Sequence, residues 1–478
     1  MTAVKERKNG ADIRAKLDHP IIDGDGHVQE ADFALPDFLK KAGGAEVVKK
    51  WEQFQRDERN RAVRLTLWNV PSGKSSIDRA MAMLPRFRKE RHQECGIDYA
   101  VIYTTRGLGI LSMADDEMRQ AGCRALNMLN ADMFHEVRDS MTPSALIPMH
   151  TPEEAVAELE FAVKELGFKT VTVAGEVQIP DPIIAREAPH LAKHSRRIRS
   201  LTMDSPYDYD PVWKKCMELG VSVACHTGAR EPGGRRGSPT NFVFNHIGSF
   251  ANGSEFFCRS MFMGGVTRRF PKLRFSLLEG GAAWGCDLYN AIMEHWEKRN
   301  LKAMMENLDP ARLDMDLMVR MFEKYGNSYL TPEKMKGYRG TGNARLDEDP
   351  DTLDDWKALK IERAEDIRDL FVDSFYFGCE ADDRMSAVAF NPKLNHFEAK
   401  IKAIFGSDIG HWDVLDATRV VNEAYALVEE ELLTEEDFKE FVFTNNVTLH
   451  TDMNPNFYKG TVIEKEVDRL LAEQGAKA

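Results

Sequence analysis

Long apolar runs are missing from this sequence, and none approaches the roughly 20 residues that a helix needs to cross a bilayer. Cysteine is scarce. The seven thiols (Cys95, Cys123, Cys216, Cys225, Cys258, Cys286, Cys379) are odd in number, scattered and never spaced as C-x-x-C. That pattern excludes a disulfide framework and a cysteine-type zinc site, and it suits reduced thiols in cytoplasm. The opening stretch, MTAVKERKNGADIRAKLDHP, has no apolar core of the kind a secretory leader carries, so the expected location is cytoplasmic. Positive charge is also in deficit: 64 Lys and Arg against 77 Asp and Glu give a net charge of −13. An acidic surface argues against nucleic acid or an anionic membrane as partner, leaving a small-molecule substrate. No internal repeat or low-complexity tract is present.

What the chain does have is a recurring alternation. Eight short, nearly continuous apolar runs lie at 20–27, 99–104, 144–149, 169–175, 221–228, 273–281, 374–380 and 403–411. Continuous rather than alternating apolar character marks strands buried on both faces of a parallel sheet. Amphipathic stretches fall between them. TPEEAVAELEFAVKELGF has a Thr N-cap with Glu three residues on, and its apolar positions 155, 159, 162, 163 and 166 share one face. DPVWKKCMELG repeats the arrangement and stops at Gly220. Eight strand–helix units predict an α/β fold of the (β/α)8 TIM-barrel type.

Spacing locates the additions. An N-terminal extension (1–19) precedes a barrel over 20–455, and a tail (456–478) follows. Charged insertions at about 34–78, after strand one, and 296–370, after strand six, suit a lid or a subunit contact in a homo-oligomer or a hetero-oligomer with a related subunit. A helical C-terminal extension beyond about 415 is expected to pack outside the barrel.

Chemistry in such a barrel gathers at the C-terminal ends of the strands. Strand one ends in Asp25, His27 and Glu30, strand five in His226, strand six in Glu279, and strand eight in Asp408 with His411 following. Side chains 25 and 27 share one face of their strand. Acids and imidazoles from four strands repel and desolvate one another unless a cation compensates them, which predicts one or two divalent metal ions. Asp25, His27, His226, Glu279 and Asp408 are the expected core ligands. Glu30, His246 and His411 are expected as ligands of a second ion or as catalytic groups. A single zinc takes three protein ligands and a water, so eight candidates suit two ions. Oxygen-rich surroundings move the preference from zinc toward manganese or iron. Arg106 and Arg230 are candidate clamps for a substrate carboxylate, and Trp284 and Trp412 candidate apolar walls.

The segments DGDGHVQE, ACHTG, FPKLRFSLLEGGAAW, FGSDIGHWD and FTNNVTLHTDM together resemble the amidohydrolase superfamily. Within it they are similar to the amidohydrolase-2 group related to aminocarboxymuconate-semialdehyde decarboxylase. The chain departs from the commoner pattern twice: Asp25-Gly26-His27 stands for His-x-His, and Glu279-Gly280-Gly281 for His-Gly-Gly. Both replace imidazole by carboxylate, as in a subset of the group. The resemblance implies metal-dependent hydrolysis or non-oxidative decarboxylation, with Asp408 as general base and His226 or His411 steadying the developing oxyanion. It also implies an alternative, a dinuclear iron or manganese–iron monooxygenase similar to isobutylamine N-hydroxylase. A non-catalytic partner subunit is a third reading, disfavoured by the unbroken ligand set.

Overall fold

The computed structural model describes residues 9–59, 68–195, 197–226, 238, 240–338 and 352–475. Its strands are β1 (Ile22–Val28), β2 (Tyr99–Thr104), β3 (Met141–Pro143), β4 (Ala145–Leu146), β5 (Thr170–Val173), β6 (Val177–Ile179), β7 (Arg197–Arg199), β8 (Ser222–Cys225), β9 (Phe275–Leu277), β10 (Phe375–Glu380) and β11 (Lys402–Gly406). Each of the eight apolar runs contains a strand. The third begins three residues earlier than its run and is split at Ser144 into β3 and β4.

All pairings among these strands are parallel except the small β6–β7 hairpin, which is antiparallel. Hydrogen-bonded order runs β1-β2-β3 in one ladder and β11-β10-β9-β8-β5-β4 in the other. The chain itself joins the ladders at Ser144, whose amide donates to Ile102 O at 2.9 Å. On the other side, Asp408 N–H donates to Asp25 O at 2.9 Å and His27 N–H to Ile409 O at 3.0 Å. The order is that of a (β/α)8 barrel whose first and last strands meet through their C-terminal ends.

Strand alternation sorts side chains into two cores. Outward residues pack with the surrounding helices in the main apolar core. Inward residues Val101, Tyr103, Ala224, Leu278, Tyr376 and Ile404 form a separate buried cluster that fills the lumen.

The seventh member of that cluster is Leu449, from helix Asn445–Thr451. This helix touches the starts of the strands: Asn446 donates to Ile22 O, Ser222 Oγ lies 2.8 Å from His450 Nδ1, and the Tyr376 hydroxyl donates to Thr448. The C-terminal extension therefore does not pack wholly outside the barrel, as its sequence suggests. One of its helices plugs the barrel base, because the lumen needs an apolar floor at its N-terminal end.

The helix after β4 opens with the expected capping box, Thr151 with Glu154, and ends in one wide turn over Phe161–Glu165. Gly220 caps Asp210–Leu219 in the left-handed conformation. Within the first insertion, the segment Leu35–Arg59, two helices joined at a kink at Gly44, lays Leu39, Val47 and Trp51 against helix Asp116–Phe134. No described helix is long and apolar enough to cross a membrane.

Candidate metal centre

The backbone around β1 is built to deliver two candidate ligands. Its pairing with β2 slips between Asp23 and Gly26, forming a bulge that re-aims the side chains beyond it. Only glycine fits at 26, where a Cβ would come within 2.3 Å of the Arg88 guanidinium and 2.6 Å of the Asp23 carboxylate. Arg88 donates to His27 O at 2.7 Å and to Asp23 Oδ2 at 3.3 Å, both fully buried. Asp23 also accepts from the Ser407 amide and hydroxyl at 2.9 and 2.6 Å. This buried pair ties the end of β1 to the end of β11.

Two other ligand candidates lie at strained turns. Glu279 and Asp408 have φ of +58° and +50°, a left-handed conformation costly for residues with a side chain. In each case the chain reverses just past its strand, turning a carboxylate into the mouth. Gly280 follows Glu279 and lets the Trp284 indole come within 3.0 Å of where a Cβ would stand.

The outcome is a knot of buried donors. His27 Nε2 lies 3.2 Å from His226 Nε2, 3.4 Å from Asp408 Oδ1 and 3.5 Å from Asp25 Oδ1. His226 Nε2 is 3.5 Å from Glu279 Oε2 and 3.7 Å from Asp25 Oδ1. His411 Nδ1 is 2.6 Å from Asp408 Oδ1, its Nε2 is 3.1 Å from the Thr105 hydroxyl, and its ring lies 4.0 Å from that of His27, tilted by 32°. Three groups among the described residues have metal-ligand spacing: Asp25, His27 and His226; His27, Glu279, Asp408 and His411; and His246, Glu279 and Asp413. They share His27 and Glu279.

Burial sets the electrostatics. It raises the Asp25 carboxyl to about 6, against the opposing pull of His226. It raises Glu279 and Asp408 well above the usual carboxylate range, helped by Asp25 beside the first and Glu279 beside the second. His27 is lowered to about 3 by burial and then Arg88, and His411 is lowered by burial and the neighbouring imidazoles. His27 and His411 are thus neutral, the state in which imidazoles bind metals. Asp25 Oδ1 and both carboxylate oxygens of Glu279 and Asp408 are buried without a hydrogen bond. Atoms bound to one ion at about 2.1 Å sit about 3.0–3.4 Å apart, close to the spacings seen here. The donor set fits a divalent cation.

Other candidates stand elsewhere. The Glu30 carboxylate accepts from the amides of Arg106 at 3.1 Å and Gly107 at 3.3 Å. It caps the loop after β2 and belongs to none of the three groups, a correction to its expected role as a ligand. Arg106 is not an open clamp, since its Nε donates to Asp32 at 2.5 Å. Arg230 lies outside the described residues. His246 sits 3.9 Å from Asp413 and packs edge-on against Trp412 and Phe250. Trp284 packs on Phe377 and Trp412 on Phe242, each with a buried indole N–H that has no acceptor.

Sequence reasoning missed three residues. Glu380 ends β10 and is raised to about 8 by burial and then Asp413; the rule applied to the other strand ends would have found it. Asp413 follows His411 by two. Tyr103 lies beneath the knot, 5.8 Å from the His226 ring and 6.3 Å from the His27 ring.

The profile of the amidohydrolase family matches residues 94–334, just over half of the chain. An amidohydrolase from Mycobacterium avium subsp. paratuberculosis K-10 superposes with a TM-score of 0.52 at 17% identity, over 91% of this chain and 99% of that one. This likeness shows the fold. A dihydroxybenzoic acid decarboxylase from Polaromonas sp. JS666, with bound manganese and 2-nitroresorcinol, gives a TM-score of 0.49 at 16% identity over 91% and 97%. A 4-oxalomesaconate hydratase from Rhodopseudomonas palustris gives 0.45 at 16% over 95% and 99%.

Proposed function

The chain belongs to the amidohydrolase family, and on that premise we propose that it is a divalent-metal-dependent enzyme that hydrolyses or non-oxidatively decarboxylates a small organic substrate. One observation carries the reading: five buried carboxylate oxygens, on Asp25, Glu279 and Asp408, lie without hydrogen bonds beside the imidazoles of His27, His226 and His411. Asp25, His27, His226, Glu279 and Asp408 are the residues to hold the ion, with His411 at its edge and His246 and Asp413 available to a second. When bound, the ion lowers the pKa of a coordinated water and polarises a substrate oxygen.

The protein's own part is proton handling and exclusion of water. Asp408 is the proton acceptor and donor: its carboxylate turns into the mouth at the end of β11 and lies 2.6 Å from His411 Nδ1. Thr105 fixes the ring of His411, so that the face of Asp408 turned to His411 is held in one orientation. Trp284, Trp412, Phe242 and Phe250 line an apolar wall, which lowers the local dielectric and strengthens each polar contact with substrate. The two unpaired indole N–H groups are donors for its oxygens.

The test is a panel of small amides and carboxylic acids assayed with the metal-free protein and with manganese, zinc or iron added. Metal-dependent release of amine or carbon dioxide, without oxygen uptake, is the expected outcome. Product formed in step with oxygen consumption would replace this reading by the monooxygenase.

A further inference from the structure

The ends of three strands meet at the Thr105 hydroxyl. Thr105 follows β2, Gln29 follows β1 and His411 lies beyond β11. Thr105 Oγ1 is 3.0 Å from Val28 O, 3.3 Å from Gln29 Nε2 and 3.1 Å from His411 Nε2. Gln29 is buried, and the same Nε2 donates to Gly410 O at 2.7 Å. That second bond settles which end of the amide faces Thr105, because a carbonyl oxygen needs the N–H end.

The three contacts at Oγ1 are all hydrogen bonds in only one arrangement of protons. A hydroxyl has one proton to give and two lone pairs. Val28 O can only accept, so the Thr105 proton goes to it. Gln29 Nε2 can only donate, which occupies one lone pair. The other lone pair meets His411 Nε2, which therefore carries the ring proton. Turning the hydroxyl proton toward His411 instead would leave Oγ1 and Val28 O facing each other at 3.0 Å with no proton between them. In the neutral ring the remaining lone pair is then on Nδ1. The far side of the ring agrees. Asp408 Oδ1 lies 2.6 Å from Nδ1 yet is without a hydrogen bond, whereas an Nδ1–H aimed at it would have supplied one. Two lone-pair atoms so close are stable when they share a cation.

We propose that Thr105 is a positioning residue: with Gln29 it locks His411 in the Nε2–H tautomer and presents a bare Nδ1, beside Asp408, to the ion. This rests on the metal-centre reading above. A histidine that binds a metal through one nitrogen commonly has its tautomer fixed by a partner on the other, and loss of such a partner weakens metal binding about 10–100-fold.

The test reads the ring nitrogens by NMR in the full chain, grown with isotope-labelled histidine and loaded with zinc, which is diamagnetic. The His411 signals are those missing from His411→Gln. Wild type should carry the proton on Nε2 and none on Nδ1, and Thr105→Ser, which keeps the hydroxyl, should match it. Thr105→Val keeps the shape and removes the acceptor. It should bind manganese about 10–100-fold more weakly, with circular dichroism unchanged. A zinc-loaded wild type with the proton on His411 Nδ1 overturns this proposal and leaves the metal centre standing. So does a folded Thr105→Val that binds manganese as wild type does. Should that variant fail to fold, the wild-type spectrum decides alone. A chain that binds neither metal overturns the centre itself and this proposal with it.

Discussion

His27 and His226 point their Nε2 atoms at each other across 3.2 Å, although 199 positions separate them in the chain. Both rings are buried, and burial drives His27 to the neutral form. With Asp25 Oδ1 3.5 Å from one nitrogen and 3.7 Å from the other, three lone pairs converge on one point. Such convergence is stable with a cation at its centre and strained without one.

Removal of the ion should therefore cost stability. Dialysis against a chelator is expected to lower Tm by several degrees, and the added-back ion to restore it. An ion at a thousandfold excess over its Kd contributes about 4 kcal/mol. Scanning calorimetry with elemental analysis of the same samples reads both the shift and the number of ions per chain. An unchanged Tm with no metal in the native protein would remove the centre.

Substituting Asp408, a proposed ligand as well as the proton carrier, should remove the chemistry without unfolding the chain. Asp408→Asn is expected to lower kcat by about 10³-fold, within the range for loss of an acid–base group, while the protein stays folded. His226→Ala should instead lose bound metal along with activity. A variant of either kind that retained full turnover and metal content would be placed outside the site.

Without metal, stability should fall as pH rises. The Asp25 carboxyl is raised from 3.8 to about 6 in the folded chain, so between those values the native state binds more protons than the unfolded state. The slope of unfolding free energy with pH is then negative across this window. Its contribution amounts to about 3 kcal/mol, and the raised carboxyls of Glu279 and Asp408 extend the fall to higher pH. Metal affinity should climb over the same range as the ligands deprotonate. Urea titrations at pH 4, 5, 6 and 7, with and without chelator, measure this; an apo slope of the opposite sign contradicts it.

The Arg88–Asp23 pair offers a test of the support under the ligands. Arg88→Met leaves Asp23 buried without its cation, and breaking such a pair costs about 3–5 kcal/mol. Arg88→Met/Asp23→Asn should recover part of that stability. Metal affinity should stay weakened in both, because the hydrogen bond to His27 O is lost in each.

At the other end of the barrel, Leu449→Ala opens a cavity in the lumen and should cost about 2–5 kcal/mol. Its kcat is expected to change little, since the plug lies opposite the mouth. A large fall in kcat at unchanged stability would show the two ends to be coupled.

Much of this was legible in the sequence because strands buried on both faces must be apolar throughout, so all eight could be read without knowing their neighbours. The candidate ligands could be picked out because Asp25, His27, His226, Glu279 and Asp408 interrupt or end such runs with groups that an unpaired core would reject, and the fold brings them together. Glu30 was misread since sequence cannot show that the amides of Arg106 and Gly107 would meet its carboxylate first. Arg106 was misread for a like reason, its partner Asp32 being far off in sequence. The plug was invisible because Leu449 belongs to an amphipathic pattern that looks the same whether its apolar face meets a lumen or an outer wall. Asp23 and Arg88 gave no signal either, since a buried ion pair is defined by the distance between its members.

The plug has a bearing on how the molecule comes into being. Asn446 reaches back to Ile22 across 424 positions, so the first strand cannot find its floor until the ribosome has made nearly the whole chain. At about 5–20 residues per second, that wait is roughly 20–85 s. During it the apolar strands and the acids beside them wait without the floor that closes the folded barrel.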